Sequence, residues 1–497
     1  MNIRYKTFLL FLTTGMMLTT SCKKDFKELN TNPNASVAAL PEALLTPALW
    51  DVVTRNNNRA LRLNNELMQV HVTTIDSDEI HRYVVRPSES DYMWNNWYQQ
   101  LTNFRDMYAR AEDLNNNTYM GIALICDVFV SSLITDTFGD VPYSESNKGK
   151  EQVYQPKFDT QENIYKSLFE KLEQANELLA NGKALTLEQI AYDPVYGRNL
   201  PSGTTEAVGS PLVINNWRKF GNSLYLRLLM RASGKTSSGA VTKIQQIVSD
   251  ATKYPIFTSN QESAVVRYTT IPPYVSAFNT FRAFDFNGDN GLSEFFINTL
   301  NSWNDPRRTI WATVAGGTYS GIPSGYVRGK IPERASLYNA ALMNEPLLGN
   351  IMNYAELQFI LAEASVKGYI SGNAKTYYET GVTNAITFWN TQVPTDHLTN
   401  PEISWNDGAG LDAKMEKIHL QKYYTLFFTD FQQWFEYRRT GHPNLPKGEG
   451  LQNNGLMPAR FKYPVYVQSL NAANYTSAIA IFGADDLNTK VWWNKEN

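Results

Sequence analysis

Apolar residues recur at helical spacing over most of the chain. Ile122, Ile125, Cys126, Phe129 and Leu133 fall at steps of 3, 4, 7 and 11, which places them on one stripe of a helix. The same period returns in Gln161 to Leu179, in Leu224 to Arg231, and in Tyr354, Leu357, Leu361 and Ala364. Tyr378, Val382, Ala385, Ile386 and Trp389 form a further stripe, in which Gly381 is small enough for a neighbouring helix to approach closely. Tyr424, Phe427, Phe431, Trp434 and Phe435 read as a third helix of this late group, stopped by Thr440-Gly441-His442-Pro443, a glycine with proline two residues on. These segments predict an all-α protein, mainly of stacked helical hairpins at about 90–253 and 350–443. No strict 34-residue repeat is present and the Trp-x2-Leu-Gly-x2-Tyr signature is missing, so the hairpins are tetratricopeptide-like in shape only.

Between the two helical groups, over about 254–345, the period weakens and Gly and Pro become frequent, as in PPY at 272–274 and GIPSG at 321–325. A long irregular insertion in a helical domain is more often functional than a connector. This one carries Tyr274, Phe278, Phe281, Phe284, Trp303, Trp311, Tyr319 and Tyr326.

The N-terminus follows a different pattern. Arg4 and Lys6 precede an apolar run, Phe8 to Leu18, too short to span a bilayer as a helix, and Leu18-Thr19-Thr20-Ser21 leads into Cys22. Residues 1–21 read as a lipoprotein signal peptide and Cys22 as the lipidated first residue, although a lipobox has Leu where Thr19 stands. Several acyl chains on one cysteine anchor stably, where one is marginal. Residues 22–40 read as a polar tether, and 41–497 as one domain.

Composition narrows the classes. The 497 residues include 45 Lys plus Arg against 48 Asp plus Glu, so no positive field exists to hold nucleic acid. Loss of residues 1–21 removes Arg4 and Lys6 and leaves 43 basic against 48 acidic groups. Two cysteines cannot build a disulfide scaffold or a Cys-rich zinc module, and Cys126 lies on an apolar stripe where a thiol is inert. With 11 Trp, 28 Tyr and 24 Phe, some rings are expected at the surface, where they suit sugar rings.

Little else suggests chemistry. Asp285-Phe-Asn287-Gly-Asp289-Asn-Gly291 starts like a calcium loop, but Asn290 and Phe296 hold the places that need Gly and Glu. The five histidines lack zinc-hydrolase spacing, and no Gly-x-Ser-x-Gly elbow, Walker loop or dinucleotide fingerprint occurs. No cofactor or metal is expected. A glycosidase carboxylate pair is defined in space and stays open at this stage. Arg438, four residues after Trp434, falls on a face expected to be buried, where a guanidinium needs acceptors; a ligand carboxylate could serve, but carbonyls or a carboxylate at a helix junction are the expected partners.

DFKELNTNPN (25–34), DTFGDVPYSES (136–146), NDPRR (304–308), LQKYYTLFFTDFQQWFEYRRTGHP (420–443) and RFKYP (460–464) together resemble the SusD/RagB family of nutrient-binding outer-membrane lipoproteins of Bacteroidetes. The resemblance implies tetratricopeptide-like hairpins beside an irregular ligand-binding region, and a lipid-anchored, cell-surface protein at the outer membrane. It also implies a SusC-like TonB-dependent transporter as partner, to which oligosaccharide, or in some members peptide, passes without catalysis. By position, the family's sugar platform points to Trp94 before an early helix and to Trp303, Trp311 and Tyr326 from the insertion; polar groups such as Asn95 or Asp305 beside such rings would complete a site of modest affinity. Trp97 and Tyr98 read as helix core, since they lead into Leu101, Phe104 and Tyr108. An α-helical surface glycosidase and a helical scaffold that binds only proteins are the rival readings.

Overall fold

A computed structural model describes residues 39–496. The signal peptide, Cys22 and nearly all of the tether lie outside the described residues. The first helical group comprises α1 (Pro41–Arg59), α2 (Glu89–Asp113), α3 (Asn117–Phe138), α4 (Gln161–Ala180), the short α5 (Leu187–Tyr192), α6 (Glu206–Ala232) and α7 (Ala240–Ser249). Helix α1 packs on α2, α2 on α3, α3 on α4, α4 on α6 and α6 on α7. Side chains fix where several of them start. Asn116 accepts the Tyr119 N–H at the head of α3, and Thr160 accepts the Asn163 N–H at the head of α4.

Helix α3 departs from the single stripe read in the sequence. All of its residues except Asn117 and Met120 are buried, because α2, α4 and α6 surround it. It is long and apolar enough to cross a membrane, yet it is enclosed by protein. A helix apolar all round belongs at the centre of a large core. Cys126 is buried there as a free thiol, and burial pushes its pKa well above the ordinary value.

The insertion is more ordered than its composition suggests. It holds α8 (Ala283–Asn287), α9 (Glu294–Ser302) and α10 (Arg307–Trp311). The six short strands among the described residues are β1 (His71–Thr73), β2 (Val141–Pro142), β3 (Phe158–Asp159), β4 (Ala264–Val265), β5 (Asn290–Leu292) and β6 (Asn350–Met352). They form antiparallel pairs, β1 with β5, β2 with β3 and β4 with β6. The first pair, in register His71 to Leu292, ties the insertion to the segment that follows α1. Asp285 of the calcium-like stretch is taken by Arg282 at 2.7 Å.

The late helices are α11 (Tyr354–Val366), α12 (Ala374–Thr387), α13 (Leu411–Thr425), α14 (Gln432–Thr440), α15 (Val465–Leu470) and α16 (Ala472–Phe482). The Tyr424–Phe435 stripe, read as one helix, is two. Helix α13 ends at Thr425, and the chain turns through Phe428 and Asp430 at φ 57° and 39° before α14 begins. The Asp430 carboxylate accepts from the Phe431 N–H and the Gln432 amide, which holds this left-handed turn. The apolar spacing carried no trace of the break because all five rings are buried on either side of it. Gly441 then ends α14 in the left-handed conformation at φ 77°, its N–H bonding Tyr437 O.

Buried charge is paired across elements. Arg227 of α6 grips Glu356 of α11, Arg231 of α6 meets Asp136 of α3 at 2.6 Å, and Arg439 of α14 holds Glu363 of α11. Glu363, His419 and Glu436 bring metal-type ligand atoms together, but Arg439, Lys367 and Lys422 already supply the positive charge there. Burial opposes ionisation of Glu363 and Glu436, and the neighbouring cations, Arg439 foremost, outweigh it and hold both well below the usual range.

Candidate functional site

Five of the six predicted ligand contacts are buried, and four of these, Trp303, Asp305, Trp311 and Tyr326, are spent on partners inside the protein. Trp311 is 0% exposed, its ring 4.5 Å from Phe427 and 5.2 Å from Trp389 between centroids. Trp303 is 2% exposed and packs edge-on to Tyr424 at 5.1 Å. Asp305 spends its carboxylate on Arg307, at 2.9 and 2.6 Å, with both side chains sealed from solvent. Tyr326 lies beneath the Arg82 guanidinium at 4.7 Å and donates to Thr73 O at 3.1 Å. A stacking platform needs a free ring face, so these aromatics are core and the NDPRR turn is a stitch. The physical reason is that α9 and α10 fold inward onto the turn between α13 and α14, whose rings need partners.

Trp94 borders a surface cleft, and Asn95 is exposed beside it, outside the lining. Trp94 lies within α2 rather than before it; the helix buries Met93, Trp94, Trp97, Leu101 and Phe104, and the Trp94 ring, 7% exposed, borders the cleft. Tyr98, one turn on, is half-buried with its ring 4.9 Å from that of Trp94, so it is a cleft wall as well as a core residue. Phe138 at the end of α3 fixes the indole edge-on at 5.1 Å, and the Tyr98 hydroxyl donates to Pro142 O at 2.6 Å. Trp97 is buried and donates from Nε1 to Asn56.

The loop after β2 and the helix α15 make the other walls. Asn147, at φ 62°, donates from Nδ2 to Tyr98 O at 2.6 Å and Thr102 Oγ1 at 2.7 Å. Asn471 donates to Pro156 O at 2.7 Å, and Gln155 donates to Leu470 O at 2.9 Å, which joins the loop to α15. Tyr466 of α15 donates its hydroxyl to Asn95 Oδ1. The open cleft is about 290 Å³, bounded by Trp94, Tyr98, Tyr154 and Tyr466 with Asn147 and Asn471. Burial pushes the Tyr466 hydroxyl up to about 12, helped by the Asp91 charge, and carries Tyr98 well above its ordinary value, so both stay neutral donors. No carboxylate lines this cleft among the described residues.

Sequence reasoning missed Tyr154 and Tyr466. Tyr154 is 77% exposed, and with Tyr192 and Phe284 it completes the set of exposed rings among the described residues. The available signal was its isolation: Tyr154 stands in a polar run, KGKEQVYQPK, with no helical partners. Tyr466 follows RFKYP by two residues, and nothing local says that this end of the chain returns to α2.

A larger groove of about 540 Å³ opens on the other side of the same loop. Its floor is an ion triad in which buried Asp127 receives Lys171 at 2.6 Å and Arg105 at 3.1 Å. Burial opposes the Asp127 charge, but the two cations keep its pKa below the ordinary value. The floor is thus internally satisfied.

Comparison places this architecture among known proteins. The family described as "Starch-binding associating with outer membrane", SusD-like, matches residues 33–464. A SusD homologue from Bacteroides fragilis NCTC 9343 superposes with a TM-score of 0.76 at 24% identity, over 92% of this chain and 100% of that one. A chitin-binding SusD homologue from Flavobacterium johnsoniae gives 0.77 at 19% identity, over 92% and 99%. One from Bacteroides uniformis ATCC 8492 gives 0.76 at 23%, also over 92% and 99%. At these identities the structures speak to fold alone, and comparison with curated proteins returns no match. The family match spans most of the chain, and the chain belongs to the SusD-like family.

Proposed function

We propose that this chain is a cell-surface lipoprotein, anchored through Cys22, that captures oligosaccharide and delivers it to a SusC-like TonB-dependent transporter without catalysis. The observation that carries the reading is the cleft between α2, the 142–156 loop and α15. It offers ring faces with fixed amides and hydroxyls beside them, and no acid pair to cleave a bond. Flat apolar faces meet the CH groups of a sugar while amides and hydroxyls meet its OH groups. The family description and the chitin binding of the Flavobacterium johnsoniae homologue favour a glycan over a peptide.

A capture protein that hands on its cargo works best at modest affinity, because very tight capture stalls release. Retention on a panel of affinity gels carrying starch, chitin and other glycans tests the class. Retention on at least one gel, lost in Tyr154→Ala and Tyr466→Ala, is expected. Enzyme-like release of reducing sugar from the retained glycan would falsify the non-catalytic reading, and indifference to all gels would remove the glycan.

A further inference from the structure

Beyond the end of α14, a third cavity of about 280 Å³ is lined by Arg438, Lys447 and Lys490, with Asn488 and Asn494 beside them. Among the described residues that line it, none is acidic. Arg438 is 7% exposed and donates from Nη1 to Ala459 O and from Nη2 to Asp136 O, at 2.5 and 2.6 Å. These acceptors are carbonyls, which carry partial charge only. The nearby Asp136 carboxylate is already taken by Arg231, Tyr165 and Trp493. Arg438 Nε has no hydrogen-bond partner among the described residues, and the guanidinium lies 3.8 Å from the Trp434 ring and 4.8 Å from the Trp493 ring. Among the described residues, Lys490 pairs with Glu496, at 3.7 Å and in solvent.

A buried guanidinium without a carboxylate is costly unless negative charge comes from elsewhere. Burial, the largest cause, accordingly pulls the Arg438 pKa down to about 9. The two lysines gather further positive charge at the mouth, in a chain whose net charge is −3. A cavity of this size takes a single sugar ring or a smaller ion.

We propose that this cavity binds the anionic group of a small soluble ligand, a carboxylate or sulfate, between Lys447 and Lys490 and above Arg438. The site is separate from the Trp94 cleft and does not depend on the glycan reading. Replacing Arg438 would also break its bonds to Ala459 and Asp136, so the exposed lysines carry the test. Sodium glucuronate, sodium sulfate and glucose are titrated into the full mature chain at low salt, with tryptophan fluorescence and calorimetry as readouts. Glucuronate is expected to give a saturable fluorescence change through Trp434 and Trp493, sulfate to displace it, and glucose to give none. Raising sodium chloride from about 50 mM to about 500 mM weakens the binding. Lys447→Ala with Lys490→Ala weakens it about tenfold or more, roughly 1.4 kcal/mol, without moving the thermal midpoint of the free protein. The proposal is overturned by the absence of a saturable response to glucuronate, by an equal response to glucose, by failure of sulfate to compete, or by undiminished binding in the double variant.

Discussion

The Arg227 guanidinium holds both carboxylate oxygens of Glu356, at 2.7 and 2.6 Å, with each side chain 1% exposed. Arg227 also donates to Ile351 O at 2.8 Å, so one side chain joins α6 to both β6 and the start of α11. The two helical groups are thereby fastened at a dry, bidentate contact.

Removing one partner leaves the other charge buried and alone. Arg227→Ala or Glu356→Ala is expected to destabilise by about 3–5 kcal/mol. Arg227→Met combined with Glu356→Leu should cost less than either, since it deletes both charges and keeps volume. Urea unfolding of the four proteins checks this, and a double variant worse than both singles would contradict it.

The two kinds of aromatic residue separate by their readouts. Trp311→Ala opens the core between Phe427 and Trp389 and is expected to cost about 3–5 kcal/mol, while folded molecules bind glycan as before. Tyr154→Ala removes an exposed ring and should leave the unfolding free energy within about 0.5 kcal/mol of the parent while weakening glycan binding. Affinity electrophoresis beside chemical denaturation distinguishes the two outcomes. The reverse pattern would return the insertion to the binding site.

This contrast marks what the residues alone could say. Helices α4 and α11 were legible because local spacing and caps agree, as with Leu357 and Leu361 behind the Asn353 cap. In the insertion the sequence suggests surface rings where the structure has core, because the partners of those rings lie far off along the chain. Trp303 meets Tyr424, Trp311 meets Phe427, and Tyr326 meets Arg82. The cleft failed for the same reason, since Trp94 meets Tyr466 and Tyr154 only after α15 returns to α2. A helical period reports which face is covered, not what covers it. Arg438 was the better case, because burial of a guanidinium by itself demands acceptors, and carbonyls at a helix junction supply them.

Gly381 illustrates a contact that the sequence did foreshadow. A Cβ added there would stand 2.8 Å from the Phe359 ring, where α12 crosses α11. Gly381→Ala must push that ring aside and is expected to cost about 1–3 kcal/mol. The gain in helix propensity from glycine to alanine, about 1 kcal/mol, offsets only part of it. If thermal unfolding shows the variant more stable, Phe359 has room that the packing denies.

Asp430 gives the pH dependence a sign that can be checked. Its side chain is buried, Oδ2 has no partner, and burial pushes its pKa up to about 7 from 3.8. Arg227 favours the charge and Glu356 opposes it, but desolvation is the larger effect. The folded protein therefore keeps a proton that the unfolded chain has lost between these values. The stability so contributed is fully present below the unfolded value and is lost as pH rises through the folded one. Asp430→Asn keeps the oxygen that accepts from Phe431 and Gln432, tolerates the left-handed backbone, and has no charge to bury. The variant is expected to match the parent near pH 4 and to exceed it by a few kcal/mol, to order of magnitude, above pH 7. Urea midpoints across pH 4–8 measure the difference. A gap that stays constant, or one that closes as pH rises, would mean that Asp430 is ionised in the fold and that the turn between α13 and α14 is held by its charge.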